Sequence, residues 1–357
     1  MANLRSDLLF PRRQVLAGIS AGVVAGALPL SARRAHAYAK EIVLCNYGGE
    51  DIDHMSKAWT DPFTKETGIP VVYDSAGPNA GKLRAMMDSG KAIWDVCDCS
   101  PSIGIDLGGH GLLEEMDYNI VDANKVPKGL AAKYSIGSYL FTTMVAYDKR
   151  ALGNRVPQNW ADFWNVTDFP GKRAFLRLSQ GMLEGALMAD GVPPDKIYPI
   201  DVNRALSKVK ELKPHCIYWR SESDALQLMR SGSVTMAAVW NGIASDAARQ
   251  TNGAWAIQWN QGVLQSAAWV VPKGNPAGRE NAMKLIASMQ DPKRQAEFMK
   301  LGNGGPINPA ANQYLTPEEA AGSPGSPDNI KKQIPLNYEW LAANYTKVEP
   351  QYIAAIS

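Results

Sequence analysis

From residue 41 onward, short apolar runs alternate with longer stretches whose apolar residues recur every three or four positions. Ile42-Val43-Leu44-Cys45 precedes a helical pattern from Ala58 to Lys65, then the run Ile69 to Tyr73, a helix near Leu83 to Met87 and the strand pattern Trp94 to Cys97. Phe141 to Tyr147 predicts a longer strand. The alternation then restarts: Ala174 to Leu176 as strand, Met182 to Ala189 and Val202 to Leu212 as helices, Cys216 to Trp219 as strand, and Ala225 to Met229 as helix. Val234 to Trp240 and Trp255 to Trp259 read as strands around a helix near Ala244 to Arg249. Such alternation predicts βαβ units in two α/β lobes built on mostly parallel sheets. The stretch from Ala267 to Pro272 leads to helices at Arg279 to Met289 and Pro292 to Met299 that have no complete sheet of their own, so they are expected to return to the first lobe. The resulting boundaries are 38–147 plus 271–310 for lobe 1 and 148–270 for lobe 2. Residues 311–357 form a C-terminal segment packing on the lobes, with an amphipathic helix near Ile334 to Ala343. Two crossovers, near Tyr147 and Val271, imply a hinge with a cleft between the lobes.

The first 37 residues read as an export signal. Arg12 and Arg13 precede the Ala- and Gly-rich apolar stretch Val15 to Leu30, and Ala35-His36-Ala37 supplies a small-x-small cleavage pattern, so the mature chain is expected to start at Tyr38. Pro29, weak hydrophobicity and a length short of the ~20 residues that span a bilayer argue against a membrane anchor. The paired arginines followed by Gln14-Val15-Leu16 are similar to a twin-arginine signal. No cysteine follows the cleavage site, so no lipid anchor is expected.

Lys plus Arg number 37 against 35 Asp plus Glu; five Arg and one Asp lie in the signal, leaving 32 basic and 34 acidic residues in a nearly neutral mature chain. No basic stripe marks a nucleic-acid partner. Cys45, Cys97, Cys99 and Cys216 are too few for a disulfide framework and are expected mostly free and buried, although Cys45 can lie beside Cys97 on neighbouring strands. No C-x-x-C pair or histidine cluster supports zinc.

Catalytic motifs fail their context. Gly18 to Gly22 matches G-x-S-x-G inside the signal, where no strand-turn-helix can form. Gly77 to Leu83 resembles a phosphate loop but is one residue short and lacks the hydroxyl that binds metal. His54, His110 and His215 are far apart. Aromatic residues stand out instead: Tyr47, Trp94, Tyr139, Trp219, Trp240, Trp259 and Trp269 fall in or at the ends of proposed strands, where an α/β sheet meets its ligand. Trp94 is expected in the core, Trp219 and Trp240 in the cleft. Ser221-Glu222-Ser223-Asp224 is a capping box, Asn241-Gly242 opens another helix, and such N-termini welcome a carboxylate. Arg177 and Arg220, at comparable strand ends, offer either a fork for that carboxylate or surface ion pairs.

Tyr47-Gly48-Gly49, Phe63 to Gly68 (FTKETG), Trp240-Asn241-Gly242, Trp259 to Gly262 and Trp269 to Gly274 (WVVPKG) together resemble the extracellular solute-binding proteins of ABC importers, nearest the spermidine/putrescine-type branch, over about Glu41 to Pro309. The resemblance implies a type II periplasmic-binding fold of two lobes closing on a small molecule. It also implies a periplasmic monomer that hands its ligand to a permease and its ATPase, without a cofactor or catalysis. Two aspartates of the polyamine pattern are missing: Ile243 stands three residues after Trp240, and the other position is replaced near Ala267. A cationic amine in a cleft needs paired charge. Glu50 and Glu184 can serve one ammonium, and one carboxylate with two guanidinium groups suits a zwitterion or amino-carboxylate better than a linear diamine. With no Tyr-Tyr pair, iron is not expected. The candidate ligand-binding residues are Tyr47, Ser100, Tyr139, Arg177, Glu184, Trp219, Arg220, Trp240, Asn241 and Trp269. A polyamine binder, a secreted enzyme and a sensory binding protein on the same fold remain the alternatives.

Overall fold

The apolar runs become ten strands of one sheet: β1 Ile42–Cys45, β2 Val71–Asp74, β3 Val96–Cys99, β4 Ile136–Asp148, β5 Arg173–Leu176, β6 Cys216–Trp219, β7 Met236–Trp240, β8 Trp255–Val270, β9 Gly305–Pro306 and β10 Ile334–Pro335. The computed structural model describes residues 41–302 and 304–357; the expected signal, with its paired arginines and cleavage pattern, falls outside the described residues. Strand order is β2-β1-β3-β8-β4-β7-β5-β6, with β9 beside β4 and β10 beside β8. Three parallel strands at one end (β1 to β3) and three at the other (β5 to β7) are joined by β4 and β8, which run antiparallel to each other through the middle.

The periodicity splits β8 into two strands, yet it is continuous over Trp255–Val270. Gln258, Asn260, Gln261 and Gly262 interrupt its apolar pattern, and the pairing with β4 jumps there from Val145–Gln258 to Thr143–Val263, so the strand bulges between them. Gln261 takes a positive φ of 63°. That conformation is costly for a residue with a side chain. It is held in place by the Trp160 Nε1–H donating to the Gln261 carbonyl at 2.8 Å and by the Gln261 N–H donating to the Lys332 carbonyl at 2.7 Å.

Each end of the sheet has its own apolar core. Ile42, Leu44, Trp59, Phe63, Val96 and Trp269 pack with Ala282, Met283, Ile286 and Met289 of the helix Arg279–Met289 and Phe298 of the helix Pro292–Lys300. At the other end Phe163, Phe175, Leu187, Leu206, Trp219, Met229 and Val239 pack with Leu341, Val348, Tyr352 and Ile356 of the helix Tyr338–Ile356. That last helix also lies against the helices Pro101–Gly109 and Val202–Leu212. All four cysteines are free, and Cys45 sits opposite Cys97 in the β1–β3 register. Burial pushes the Cys45 thiol up to about 12, so it behaves as a small apolar core group. Among the described residues, no helix is long and apolar enough to cross a membrane.

Candidate functional site

The charged groups that follow β1 act on those that follow β6 and β7, Asp51 and Glu50 on Glu222 and Glu50 on Asp246, and the polar groups of the groove come from these helix starts, from the strands and from the loop after β1. From the first half come Tyr47, Glu50, Asp51, Asp98 and Tyr139; from the second, Glu222, Trp240 and Asp246. The halves approach closely where Gly242 meets the turn at Gly302: a Cβ on Gly242 would lie 3.3 Å from the Gly302 carbonyl oxygen.

Tyr47 is 63% exposed and its ring lies over Gly77, whose positive φ and missing side chain make room for it. Its hydroxyl donates to the Pro78 carbonyl at 2.8 Å. The phosphate-loop-like stretch is therefore a platform for an aromatic wall, and Asn79 within it caps the helix Ala80–Asp88.

Asp98, only 2% exposed, lies one residue before the end of β3 and accepts a hydrogen bond from the Tyr139 hydroxyl at 3.2 Å. Burial, reinforced by the negative charge of Asp51, pushes its carboxyl up to about 8 against the opposing effect of the Tyr139 bond. Glu222, on the facing half, opens the helix Glu222–Arg230. Asp224, not Glu222, closes the capping box: the Ser221 N–H donates to Asp224 Oδ2 at 3.2 Å, and the Asp224 N–H donates to Ser221 Oγ at 3.2 Å. Glu222 keeps access to solvent, yet the walls of the groove, with the charges of Asp51, Asp246 and Glu50, push it up to about 7. Asp246 is raised by burial and partly offset by Arg249, whose Nη2 lies 2.6 Å from it. The result is an acidic groove with aromatic walls: Tyr47, Tyr139, and Trp240, which meets Phe141 edge-on at 5.9 Å between ring centroids.

The structure separates the ten candidate residues. Tyr47, Tyr139 and Trp240 belong to the groove. Ser100 caps the helix Pro101–Gly109, its Oγ 2.8 Å from that of Ser102. Asn241 is buried and accepts from the Thr142 N–H at 2.8 Å, which ties the groove rim to β4. Arg220 is exposed two residues before Glu222, while half-buried Arg177 brings its charge toward Tyr352 on the last helix. Neither guanidinium is in an ion pair with another of the described residues.

Three of the candidates are bonded or packed within the framework itself. Glu184, 2% exposed, accepts from the Gly181 N–H at 2.9 Å and from the Tyr198 hydroxyl at 2.8 Å, so it caps its own helix. Trp219, 1% exposed, donates its indole N–H to the Ala238 carbonyl at 3.1 Å and braces Trp240 edge-on at 5.4 Å. Trp269 is equally buried and packs edge-on to Trp59 at 5.8 Å. An apolar strand end points an indole into the core as readily as into a cleft, and the pattern does not distinguish them. Asp98 and Glu222 were missed in the sequence for opposite reasons. The only trace of Asp98 is a lone acid inside the apolar run Val96 to Cys99, whereas Glu222 is masked by a capping motif that Asp224 completes.

A cavity of about 380 Å³ lined by Leu113, Glu114, Glu115, Tyr134, Lys273 and Arg279 lies elsewhere on the first half. It holds none of the groove residues. Its Arg279 guanidinium is bound to Asp117 and to the Glu115 carbonyl.

Two parallel-stranded halves joined by an antiparallel pair, with strand ends meeting at a polar groove, define a type II periplasmic-binding fold. The chain belongs to the bacterial extracellular solute-binding proteins, whose family model matches residues 58–325, and is the solute-binding component of an ABC importer. It is 30% identical over 332 residues to a gamma-aminobutyric acid-binding protein of Pseudomonas aeruginosa, covering 90% of this chain and 93% of that protein. A spermidine/putrescine-binding periplasmic protein of Haemophilus influenzae is 26% identical over 286 residues, 76% of this chain and 77% of that one. The solved structure of the Atu4243-GABA receptor superposes with a TM-score of 0.83 at 30% identity, covering 89% of this chain and 98% of that one.

Proposed function

We propose that the groove captures a small amino-carboxylate of the γ-aminobutyrate class in the periplasm and delivers it, unmodified, to a permease and its ATPase. In this reading the two ends of the sheet move as lobes, with β4 and β8 as the hinge. The observation that carries it is the acidic, aromatic-walled groove: Asp98 and Glu222 are the carboxyls available to an ammonium, and Arg220, two residues before Glu222 in sequence, has an exposed guanidinium in no ion pair with another of the described residues. Tyr47, Tyr139 and Trp240 supply ring faces for the ammonium and its methylenes. Greater similarity to a gamma-aminobutyric acid binder than to the polyamine binder supports the same class. A diamine is the second reading, favoured by the acid on both walls. Calorimetric titration with γ-aminobutyrate separates them. Arg220→Ala is expected to weaken binding at least about tenfold, or about 1.4 kcal/mol. Unchanged γ-aminobutyrate affinity in that variant counts against a carboxylate-reading arginine.

A further inference from the structure

The last helix, Tyr338–Ile356, carries Leu341, Tyr345, Val348, Tyr352 and Ala355 at spacings of four and three residues, which puts these side chains on one helix face. Four of the five are sealed into the core of the second half: Leu341, Val348 and Ala355 are each 4% exposed and Tyr352 is 0% exposed. Tyr345, in the middle of the same inward stripe, is 37% exposed. A side chain on the packed face of a helix stays open only where the surface opposite it falls away. The helix is pinned on both sides of this opening. The Tyr352 hydroxyl donates to the Leu176 carbonyl at the end of β5, Glu349 accepts from the Ser179 N–H at 3.0 Å, and the Tyr338 hydroxyl donates to the Ser266 carbonyl on β8 at 3.1 Å. The same helix packs on Pro101–Gly109 of the first half, whose cap, Ser100, stands two residues after Asp98. Tyr345 therefore lies where the second half ends and the first begins. Its hydroxyl has no hydrogen-bond partner among the described residues, whereas those of Tyr47, Tyr139, Tyr198, Tyr338 and Tyr352 all have one. Burial, reinforced by the charge of Glu349, pushes that hydroxyl up to about 12, and it acts on the hydroxyl of Tyr47, as fits a phenol turned inward.

We propose that Tyr345 is a solute-binding residue, a wall that the last helix adds to the groove. Its ring packs on the methylenes of the bound amino-carboxylate, and its hydroxyl, unspent within the protein, bonds one of the solute's polar ends. This rests on the groove being the solute site and adds a residue far from the others in sequence. An aromatic ring suits the position because it offers a large contact area and a polar tip while losing little side-chain freedom on binding. The bonds of Glu349 and Tyr352 hold the helix that carries it, so the ring is placed before the solute arrives.

Calorimetric titration of variants with γ-aminobutyrate, with denaturant midpoints measured beside it, tests this. Tyr345→Ala is expected to weaken binding at least about tenfold, and Tyr345→Phe, which keeps the ring and loses only the hydrogen bond, about three- to fivefold. Lys347→Ala, at an exposed position of the same helix, leaves affinity unchanged. Tyr345→Leu keeps the stripe apolar and the helix intact, so it guards against a folding defect in the alanine variant; it is expected to lose as much as alanine does. Wild-type affinity in Tyr345→Ala or Tyr345→Leu at an unchanged midpoint overturns the proposal and leaves the amino-carboxylate reading in place. Binding of putrescine by the wild type with none of γ-aminobutyrate overturns that reading instead, and the same variants titrated with putrescine then decide Tyr345: weakened binding supports it, wild-type affinity removes it from the site.

Discussion

Asp98 places a carboxyl where neither water nor a guanidinium compensates its charge, and this has a measurable consequence in the free protein. Its folded-state pKa, about 8, and that of Glu222, about 7, both lie above the ordinary carboxylate range of about 4. The folded protein therefore holds these protons more tightly than the unfolded chain. Their contribution to stability is fully present below about pH 4 and is lost as pH rises through about 7 to 8. The apparent Tm of the ligand-free wild type is expected to fall across that window, and Asp98→Asn to flatten the fall. Parallel pH profiles for the two proteins would show that Asp98 does not titrate as described. The signal for this residue was a single acidic letter in an apolar strand. Sequence periodicity treats such a letter as noise, because it reports which face is buried and not where a buried face opens onto a groove.

At the scale of elements, helices were the most legible features. Met182–Ala189, Val202–Leu212 and Arg279–Met289 start and stop where the apolar period predicts. Asn79, Asp201 and Ser221 cap helices because each side chain accepts an otherwise unpaired backbone N–H. The central strands were less legible. β4 extends back to Ile136 through Gly137 and Ser138, and β8 crosses a polar segment, because both are set by pairing with distant strands more than by local composition. Glu184 shows how a site residue is misread at this level: a carboxylate in the first turn of a helix after Arg177 suits a ligand contact, but the same position is ideal for bonding its own helix start. Glu184→Ala is expected to destabilise the fold by about 1 to 3 kcal/mol, from a lost cap and a Tyr198 hydroxyl that keeps the Asn337 N–H but loses the acceptor for its own proton. Its affinity for γ-aminobutyrate should stay within about twofold. Denaturant midpoints together with calorimetry check both parts; a stable protein that no longer binds would return Glu184 to the site. Trp219→Ala belongs to the same class, since emptying a core tryptophan site typically costs about 3 to 5 kcal/mol.

At the scale of the molecule, the repeated strand-helix alternation already implied two α/β bodies, and the family motifs implied a solute between them. What the sequence could not convey is which charges face each other across the gap, because Asp51, Asp98, Glu222 and Asp246 come from four segments that only the sheet order brings together. The last helix adds a further link between the halves. Tyr338 at its start bonds to the Ser266 carbonyl on β8, Glu349 accepts from the Ser179 N–H at 3.0 Å, and the helix also rests on Pro101–Gly109 of the first half. The lobe movement proposed above would have to be accommodated along this helix as well as in β4 and β8.

The groove is proposed to read an ammonium and a carboxylate on one solute. Isothermal titration of the purified protein with γ-aminobutyrate, putrescine and butyrate, at one pH and ionic strength, tests it most directly. A one-to-one complex with γ-aminobutyrate is expected, with at least about a hundredfold weaker binding, or about 2.7 kcal/mol, for each compound that lacks one of the two charges. Tight binding of putrescine with none of γ-aminobutyrate would contradict it and make the acidic walls, without Arg220, the whole of the recognition site.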